Sequence, residues 1–191
     1  MSSPDAGPPP STGSDVERRT VVLESAMATF ARFGYRKTSM EEVARAAHIS
    51  RPGLYFLFAS KQTLFRAAVT QTLDRDLTAV EQALADRDRP LPERLVAAFD
   101  QWAGRYIGGP LGQDVTTVVE DNPDILGDIV STAPRRFEQL ITEAIAAETG
   151  REAARPVAQT LISTSIGLKH QVRSRDMYLE RLAIAIGLLA P

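Results

Sequence analysis

Apolar side chains recur along this chain with the spacing of amphipathic α-helices, and the clearest examples lie in its first third. One stripe, at positions i, i+3, i+4 and i+7, is formed by Met40, Val43, Ala44 and Ala47. An earlier stripe consists of Leu23, Ala26, Met27, Phe30 and Phe33. Gly34 follows it at once, and a glycine in this place is typical of the residue after a helix C-terminus. The pattern therefore predicts one helix ending before Gly34 and another beginning near residue 39.

Polar residues mark where three helices begin. Thr38 and Ser39 each stand three residues before a glutamate, which gives two alternative capping boxes and sets the first start to within one residue. Ser50 is a favourable N-cap for the next helix, and Ser60 is one for the third. The connection at residues 47–50 is so short that the first two helices must cross sharply. The sequence thus predicts a helix-turn-helix followed closely by another helix.

Residues 18–65 resemble the N-terminal domain of the tetracycline-repressor (TetR) family of bacterial transcription regulators. The matching positions are Phe30-x-x-x-Gly34-Tyr35, Thr38-Ser39-Met40-Glu41-Glu42-Val43-Ala44, Ala47-x-Ile49-Ser50 and Leu54-Tyr55-x-x-Phe58-x-Ser60-Lys61-x-x-Leu64-Phe65. The resemblance implies a recognition helix, at about residues 51–57, that enters the major groove of DNA. His48 departs from the family pattern, where glycine is usual, so we expect a positive φ there, which histidine tolerates better than most residues.

Eight residues are candidates for contact with DNA, and they are Thr38, Ser50, Arg51, Pro52, Gly53, Tyr55, Phe56 and Lys61. Arg51 is the first candidate for a base contact, because its guanidinium fits the two acceptors of guanine in the major groove. A solvated arginine is the alternative. Tyr55 suits a phosphate and Phe56 a thymine methyl group, unless both are simply exposed aromatic residues. Lys61, at a helix N-terminus, would add charge to amides that already favour an anion.

The other four candidates have simpler explanations that stay open. Gly53 lacks a side chain that would obstruct approach to the bases, but first-turn geometry explains it nearly as well. Pro52 is suited to the first turn of a helix, where its missing N–H is not needed. Thr38 and Ser50 could offer hydroxyl groups to phosphates, and helix capping accounts for them equally well.

The rest of the chain also repeats apolar residues at helical spacing, without a strand pattern. A long helix from about Lys61 is predicted to stop at residues 86–90, and another covers 91–106. Residues 111–123 are ambiguous, 125–130 and 137–145 are helical with a break or bend near Pro134, and the last helices span about 152–172 and 175–189. The predicted fold is all-α, with a disordered tail at 1–14, a helix-turn-helix domain at 15–61 and a C-terminal ligand-binding and dimerisation domain at 62–191.

The last two helices, at about residues 152–189, predict a homodimer. One stripe on the final helix consists of Leu179, Leu182, Ile186 and Leu189, and Ile184 and Leu188 lie outside it. A helix that is apolar on more than one side has more surface than its own domain can easily cover. A four-helix interface between two chains would bury it, as the resemblance also implies. A thicker monomer core is the alternative.

Candidate effector-binding residues are an aromatic stripe, Phe99, Trp102 and Tyr106, and two polar residues, His170 and Gln171. Aromatic walls suit small apolar ligands, although a plain core explains any single one of them better. A small apolar effector is implied by the resemblance alone. With two histidines, no cysteine and no glycine-rich phosphate loop, we expect no enzyme, no cofactor and no metal site. The acidic residues at 120–128 are interpreted as a solvated face.

The net charge of −2 is unevenly distributed along the chain. Residues 15–70 contain nine basic and five acidic residues, a net charge of +4, whereas residues 71–191 carry a net charge of −5. Only the first part suits a polyanionic partner. No apolar run approaches the roughly 20 residues of a membrane helix and no signal peptide is recognised, so we expect a cytoplasmic protein.

The sequence predicts a transcription regulator that binds a palindromic double-stranded operator as a dimer. The expected activity is repression, relieved by a small molecule. An activator of the same fold is the alternative. From other classes, a helical protein-interaction module or an enzyme without DNA binding also stays open.

Overall fold

The computed structural model describes residues 12–108, 112–149 and 151–190, and this part of the chain contains helices but no strand. The α-helices are α1 (Thr12–Phe33), α2 (Met40–Ala46), α3 (Arg51–Leu57), α4 (Lys61–Ala85), α5 (Leu91–Trp102), α6 (Gly112–Glu120), α7 (Pro123–Leu126), α8 (Ile129–Thr149), α9 (Arg151–Gln171) and α10 (Arg175–Leu189). A 3-10 helix, Gly104–Tyr106, follows α5. The predicted all-α fold is confirmed. In the described residues, no helix has the length and apolar character needed to cross a membrane.

Serine caps begin α2, α3 and α4, as the sequence predicts. Of the two alternative capping boxes, α2 uses Ser39, whose Oγ accepts the Glu42 N–H while the Glu42 carboxylate accepts the Ser39 N–H. Ser50 Oγ accepts the Gly53 N–H, and Ser60 Oγ accepts the Thr63 N–H. These bonds satisfy amide groups that have no partner inside the helix. They mark the starts of all three helices.

The turn between α2 and α3 contains the predicted residue with a positive φ. His48 has a φ of 54°, and among the described residues it is the one non-glycine residue with a positive φ. Gly34, after α1, has a φ of 79° and ends that helix as predicted. Both residues reverse the chain direction within a few positions, which lets α1, α2 and α3 pack around one small core.

The N-terminal core extends beyond the predicted domain boundary at residue 61. Phe30 of α1 meets Phe65 of α4 edge to face, with ring centroids 4.9 Å apart, and Leu54 of α3 is fully buried beside them. Val118 of α6 and Leu126 of α7 are buried in the same cluster. The first half of α4 and the segment containing α6 and α7 are therefore part of the packing that holds the helix-turn-helix.

A second core lies among α5, α8, α9, α10 and the end of α4. Its largest fully buried side chains include Phe99, Phe137 and Tyr178. Phe99 and Phe137 pack edge to face with centroids 5.2 Å apart. At about 1.5 Å per residue, the 25 residues of α4 span roughly 37 Å, so this helix passes from one core into the other. The predicted long helix from about Lys61 is confirmed.

Two predictions about local structure need correction. Residues 12–14 belong to α1, whereas the sequence predicted a disordered tail that ends at residue 14; residues 1–11 lie outside the described part. Of the predicted break or bend near Pro134, the break is wrong, because Pro134 lies inside α8; a bend there stays a prediction. The chain breaks instead at Gly127, whose φ of 65° is a conformation that glycine adopts without steric cost. The ambiguous segment at 111–123 contains α6 and the start of α7.

Candidate nucleic-acid interface and adjoining cavity

The outward face of α3 carries four exposed candidates, Arg51, Pro52, Tyr55 and Phe56. Phe56 is 90% exposed, and the adjacent Tyr55 ring is 42% exposed, so two aromatic side chains face solvent side by side. The Arg51 guanidinium carbon lies 5.7 Å from the centroid of the Tyr55 ring, so the two side chains share one patch. On the opposite face, Leu54 is fully buried and sets the orientation of this seven-residue helix.

Gly53 and Ser50 are coupled by the start of α3. A Cβ on Gly53 would lie 3.0 Å from Ser50 Oγ, the atom that accepts the Gly53 N–H. A larger residue would therefore push against the cap. Ser50 is exposed, and its hydroxyl proton is not needed for capping. Capping is thus a demonstrated role for both residues, and contact with DNA stays a prediction.

The sequence predicts that Lys61 offers its charge to an anion, but in the structure its ammonium group is turned toward the protein backbone. Its ammonium group donates to the carbonyl oxygens of Tyr35 at 3.1 Å, Arg36 at 3.4 Å and Thr38 at 3.1 Å. It also lies 4.5 Å from the centroid of the Tyr35 ring. Since an ammonium group has three N–H donors, these bonds occupy all of them. Lys61 thus holds residues 35–38 against α4, and its contact with a phosphate stays a prediction.

Thr38 is also an internal residue. Its side chain is 1% exposed, and its hydroxyl donates to the Gly34 carbonyl oxygen at 2.8 Å. Ser39, not Thr38, caps α2. Burial and this hydrogen bond give Thr38 an internal structural role, and its contact with DNA stays a prediction.

Arg19 is a structural residue that the sequence analysis missed. Its guanidinium carbon lies 4.3 Å from the centroid of the Phe58 ring, and its Nη1 donates to the Leu57 carbonyl oxygen at 3.3 Å. It therefore supports the C-terminal end of α3 from α1. The apolar pattern of α1 gives no sign of this contact, because it joins residues 38 positions apart.

A cavity of about 450 Å³ lies between the two cores. Its walls include Met27 of α1, Val69 and Leu73 of α4, and Val115 and Val119 of α6. The predicted aromatic residues Phe99, Trp102 and Tyr106 line it too, with the Trp102 ring stacked on Phe137 at a centroid distance of 4.8 Å. The volume lies within the range of about 300–1,000 Å³ that is usual for small-molecule sites.

His170 and Gln171 are exposed at the end of α9 and do not line this cavity. The prediction that they anchor a ligand there is wrong, because the inward face of α9 is instead formed by Ile162, Ser165 and Lys169. One helical turn separates Ser165 from Lys169, and His170 lies on a different side of the helix.

The buried carboxylate of Asp76 is the main polar group of the cavity, and the sequence analysis missed it. Its Oδ1 accepts from Arg105 Nη1 at 3.1 Å and from Arg75 Nη2 at 3.3 Å, and its Oδ2 accepts the Tyr106 hydroxyl in a very short hydrogen bond. Asp76 is 1% exposed, and burial raises its pKa despite the three partners. Burial and the neighbouring carboxylate also raise the pKa of Tyr106, which keeps its proton on the phenol.

Two further polar pairs border the cavity. Ser165 and the buried Tyr178 hydroxyl lie 2.7 Å apart, and burial raises the pKa of Tyr178 to about 12. Lys169 Nζ lies 3.8 Å from a Glu120 carboxylate oxygen, in a partly exposed pair. Among the described residues, no cluster of three histidine, aspartate or glutamate side chains could hold a metal ion.

Comparisons with known proteins agree with this architecture. The family model for bacterial regulatory proteins of the tetR family matches residues 22–68, which include α2, α3 and the start of α4. Over 155 residues the chain is 30% identical to the HTH-type transcriptional activator FasR of Mycolicibacterium smegmatis, covering 78% of this chain and 69% of that protein. It is 25% identical over 127 residues, or 66% of its length, to the HTH-type transcriptional regulator YfiR of Bacillus subtilis, of which it spans about half (51%).

A solved structure of similar fold comes from Saccharomonospora viridis and is described as a transcriptional regulator in complex with choline. Its TM-score is 0.71 at 25% sequence identity, over 90% of this chain and 96% of that one. The similarity thus extends from the helix-turn-helix through the helices that enclose the cavity.

Proposed function

This chain belongs to the TetR family of bacterial transcription regulators, and on that basis we propose that it binds an operator as a homodimer and is released by a small molecule. Repression is the simpler direction of control, because occupying DNA is sufficient for it. The observation that carries the proposal is the exposed patch of Arg51, Tyr55 and Phe56 on a helix whose other face is buried.

The patch has the chemistry of a sequence-reading surface. Arg51 is exposed at the first turn of α3 and can approach guanine with both N–H groups of its fork. Phe56 offers an apolar contact of the kind that thymine methyl groups accept, and Tyr55 offers a hydroxyl for the backbone. The net charge of +4 between residues 15 and 70 supplies the attraction to phosphates that does not depend on sequence.

The dimer proposal is supported by apolar side chains on the outer face of α10. Ile184 is 66% exposed and Leu188 is 78% exposed. Beside them, a Cβ on Gly187 would meet no atom within 4 Å, so this face is open to close approach by another helix. Two recognition helices related by a twofold axis would read half-sites about one DNA turn, roughly 34 Å, apart.

Release by a ligand is supported by the shared walls of the cavity. Met27 and Val69 line it and also belong to the buried core of the helix-turn-helix unit. On α6, Val119 lines the cavity while its neighbour Val118 is buried in that core. A ligand that displaces α6 or tilts α4 would therefore move the recognition helix, and it lowers DNA affinity by as much as it prefers the non-binding conformation.

Selection of bound sequences from a random DNA pool tests DNA recognition. We expect a near-palindromic site, and with that site the Arg51→Ala variant should lose about 1–3 kcal/mol of binding free energy and relax preference at one base position. Arg135→Ala removes the same charge from an exposed position on α8, outside the helices of the proposed dimer interface, and serves as the control. Equal binding of selected and scrambled DNA by the wild type would contradict the proposal.

Sedimentation of the full chain tests the dimer. We expect a dimer for the wild type and a monomer for Ile184→Glu, because the substitution places a charge on the apolar face without disturbing buried residues. The exposed Glu180→Gln change, on the same helix, is the control and should leave the dimer intact. A monomeric wild type would exclude the dimer.

Activation is a second candidate, favoured by the name of the relative FasR, a transcriptional activator. The two directions share every residue of the DNA-contacting patch. Transcription from a promoter that carries the selected site, measured with and without the protein, separates them: a fall in transcript supports repression and a rise supports activation.

A further inference from the structure

We infer that the cavity binds an uncharged, mainly apolar molecule that carries a hydroxyl or another hydrogen-bond donor at one end. This inference rests on the proposed function, in which the cavity holds the effector. It goes further by assigning the chemical class of the ligand from the groups that face the empty space. Three features of the cavity point to this class: the apolar walls, the remaining acceptor on Asp76, and the balance of charge around that carboxylate.

The walls favour an apolar body. Val69, Leu73, Val115, Val119 and Ile162 surround the space together with the aromatic rings of Phe99, Trp102 and Phe137. Removing apolar ligand surface from water against such walls is favourable in proportion to the area buried. The polar members of the lining are concentrated near Asp76 and near Lys169, so most of a bound molecule would contact hydrocarbon.

The Asp76 end can accept a hydrogen bond but has few donors to give. The Tyr106 hydroxyl proton is donated to Asp76 Oδ2, and Arg75 and Arg105 both donate to Oδ1. Thr72 donates its hydroxyl proton to the Ala68 carbonyl oxygen at 2.9 Å. Among the described residues Oδ2 accepts one hydrogen bond, and a carboxylate oxygen has room for two. A ligand group that donates a proton therefore completes the coordination of Asp76, whereas a bare acceptor would face it unpaired.

Charge disfavours an anion at this end. An anionic ligand would approach the Asp76 carboxylate directly, and the two arginines that neutralise it do not line the cavity. Lys169, the one basic residue in the described lining, is paired with Glu120. An anion that reached the interior would thus be desolvated without a free counter-charge, which is costly in an apolar site.

Charge disfavours a cation as well. Arg75 and Arg105 both contact Asp76, so two positive charges already surround one negative charge. A third cation would be repelled by both arginines while sharing a carboxylate that is already bound. The choline complex of the Saccharomonospora viridis relative makes this a direct contrast, because choline is a cation that also carries a hydroxyl. We expect this cavity to recognise the hydroxyl group of its ligand and not a positive charge.

A series of probes with one carbon skeleton tests the ligand class. The probes are 1-decanol, decyl methyl ether, decanoate and decyltrimethylammonium, each used below its aggregation concentration. Trp102 is the only tryptophan of the chain and lines the cavity, so its fluorescence reports occupancy directly. We expect saturable binding of 1-decanol that is at least tenfold tighter than that of either ion, and severalfold tighter than that of the ether.

Two matched variants test the role of the carboxylate. Asp76→Asn replaces an oxygen acceptor by an N–H₂ group, and we expect it to weaken 1-decanol binding about tenfold while leaving the ether unchanged. Asp100→Asn is the control, because Asp100 is also a buried carboxylate paired with an arginine, Arg175, but it does not line the cavity. It should bind 1-decanol within twofold of the wild type.

The outcomes separate this inference from the proposed function. Decanoate or decyltrimethylammonium binding as tightly as 1-decanol would overturn the ligand class, and so would the absence of a saturable Trp102 response to all four probes. The wild-type series decides this even where a variant does not fold. DNA selection and the Arg51→Ala variant test recognition separately. A protein that binds 1-decanol but selects no DNA would refute the proposed function and leave the ligand class standing.

Discussion

The recognition surface and the cavity use side chains in opposite ways. On α3, Arg51, Tyr55 and Phe56 extend into solvent, and their hydrogen-bonding and apolar groups are available to a partner. Around the cavity, Asp76 and Tyr106 already have partners inside the protein, and the space between apolar walls is what remains to be filled. We therefore expect changes on α3 to alter affinity with little effect on stability, and changes at the cavity to affect packing as well as binding.

The largest effect is expected for Lys61→Met, because this basic residue lies near α3 but stabilises the folded state through its contacts. We expect the free energy of unfolding to fall by about 2 kcal/mol, since three carbonyl oxygens lose a charged donor in a half-buried place. Chemical denaturation measures this loss. Arg51→Ala, at an exposed position, should stay within about 0.5 kcal/mol of the wild type. Unchanged stability of Lys61→Met would show that these bonds contribute nothing.

Val119→Phe tests whether the cavity can accept a larger side chain. An added phenyl group in a packed core usually costs about 1–3 kcal/mol, but here it can enter the cavity, so we expect unfolding to change by less than about 1 kcal/mol. Binding of 1-decanol should weaken at least tenfold, as measured by Trp102 fluorescence. Val118→Phe is the matched control, because Val118 is 4% exposed in the helix-turn-helix core, and it should destabilise strongly. Equal losses of unfolding free energy for both variants would show that no free space is available beside α6.

The smallest effect is expected at His48, in the turn that orients α3. A left-handed conformation costs a non-glycine residue roughly 1 kcal/mol, so His48→Gly should stabilise the protein by about 0.5 kcal/mol after the entropy of glycine in the unfolded chain is included. His48→Ala keeps the steric cost and should give no gain. Thermal denaturation of the pair distinguishes them, and a destabilised glycine variant would mean that the imidazole makes a favourable contact.

The sequence predicted features that depend on neighbours along the chain. The caps at Ser39, Ser50 and Ser60 and the positive φ of His48 follow from rules that span three or four residues. The sequence left the cap of α2 open between Thr38 and Ser39. Packing decides between them, because the core buries Thr38. The overall helical order is predictable for the same reason, because each apolar stripe is local.

Features that join distant residues were not predictable in this way. Lys61 reaches a carbonyl group 26 positions earlier, a structural contact that its place at a helix start does not reveal. Asp76 lies among alternating charges at residues 74–76, a pattern that indicates solvent exposure. It is buried because α5 and the following 3-10 helix bring Arg105 and Tyr106 against it, 29 and 30 positions later.

The position of α6 between two packed regions has a consequence for anyone who wishes to redesign this regulator as a biosensor. Its valines border the cavity and the helix-turn-helix core together, so under the proposed function replacing them would change inducer preference and basal output at once. Ile162 and Ile166 of α9 border the same space without belonging to the N-terminal core. A library that varies the α9 wall can therefore explore new inducers while the promoter-reading half keeps its original sensitivity.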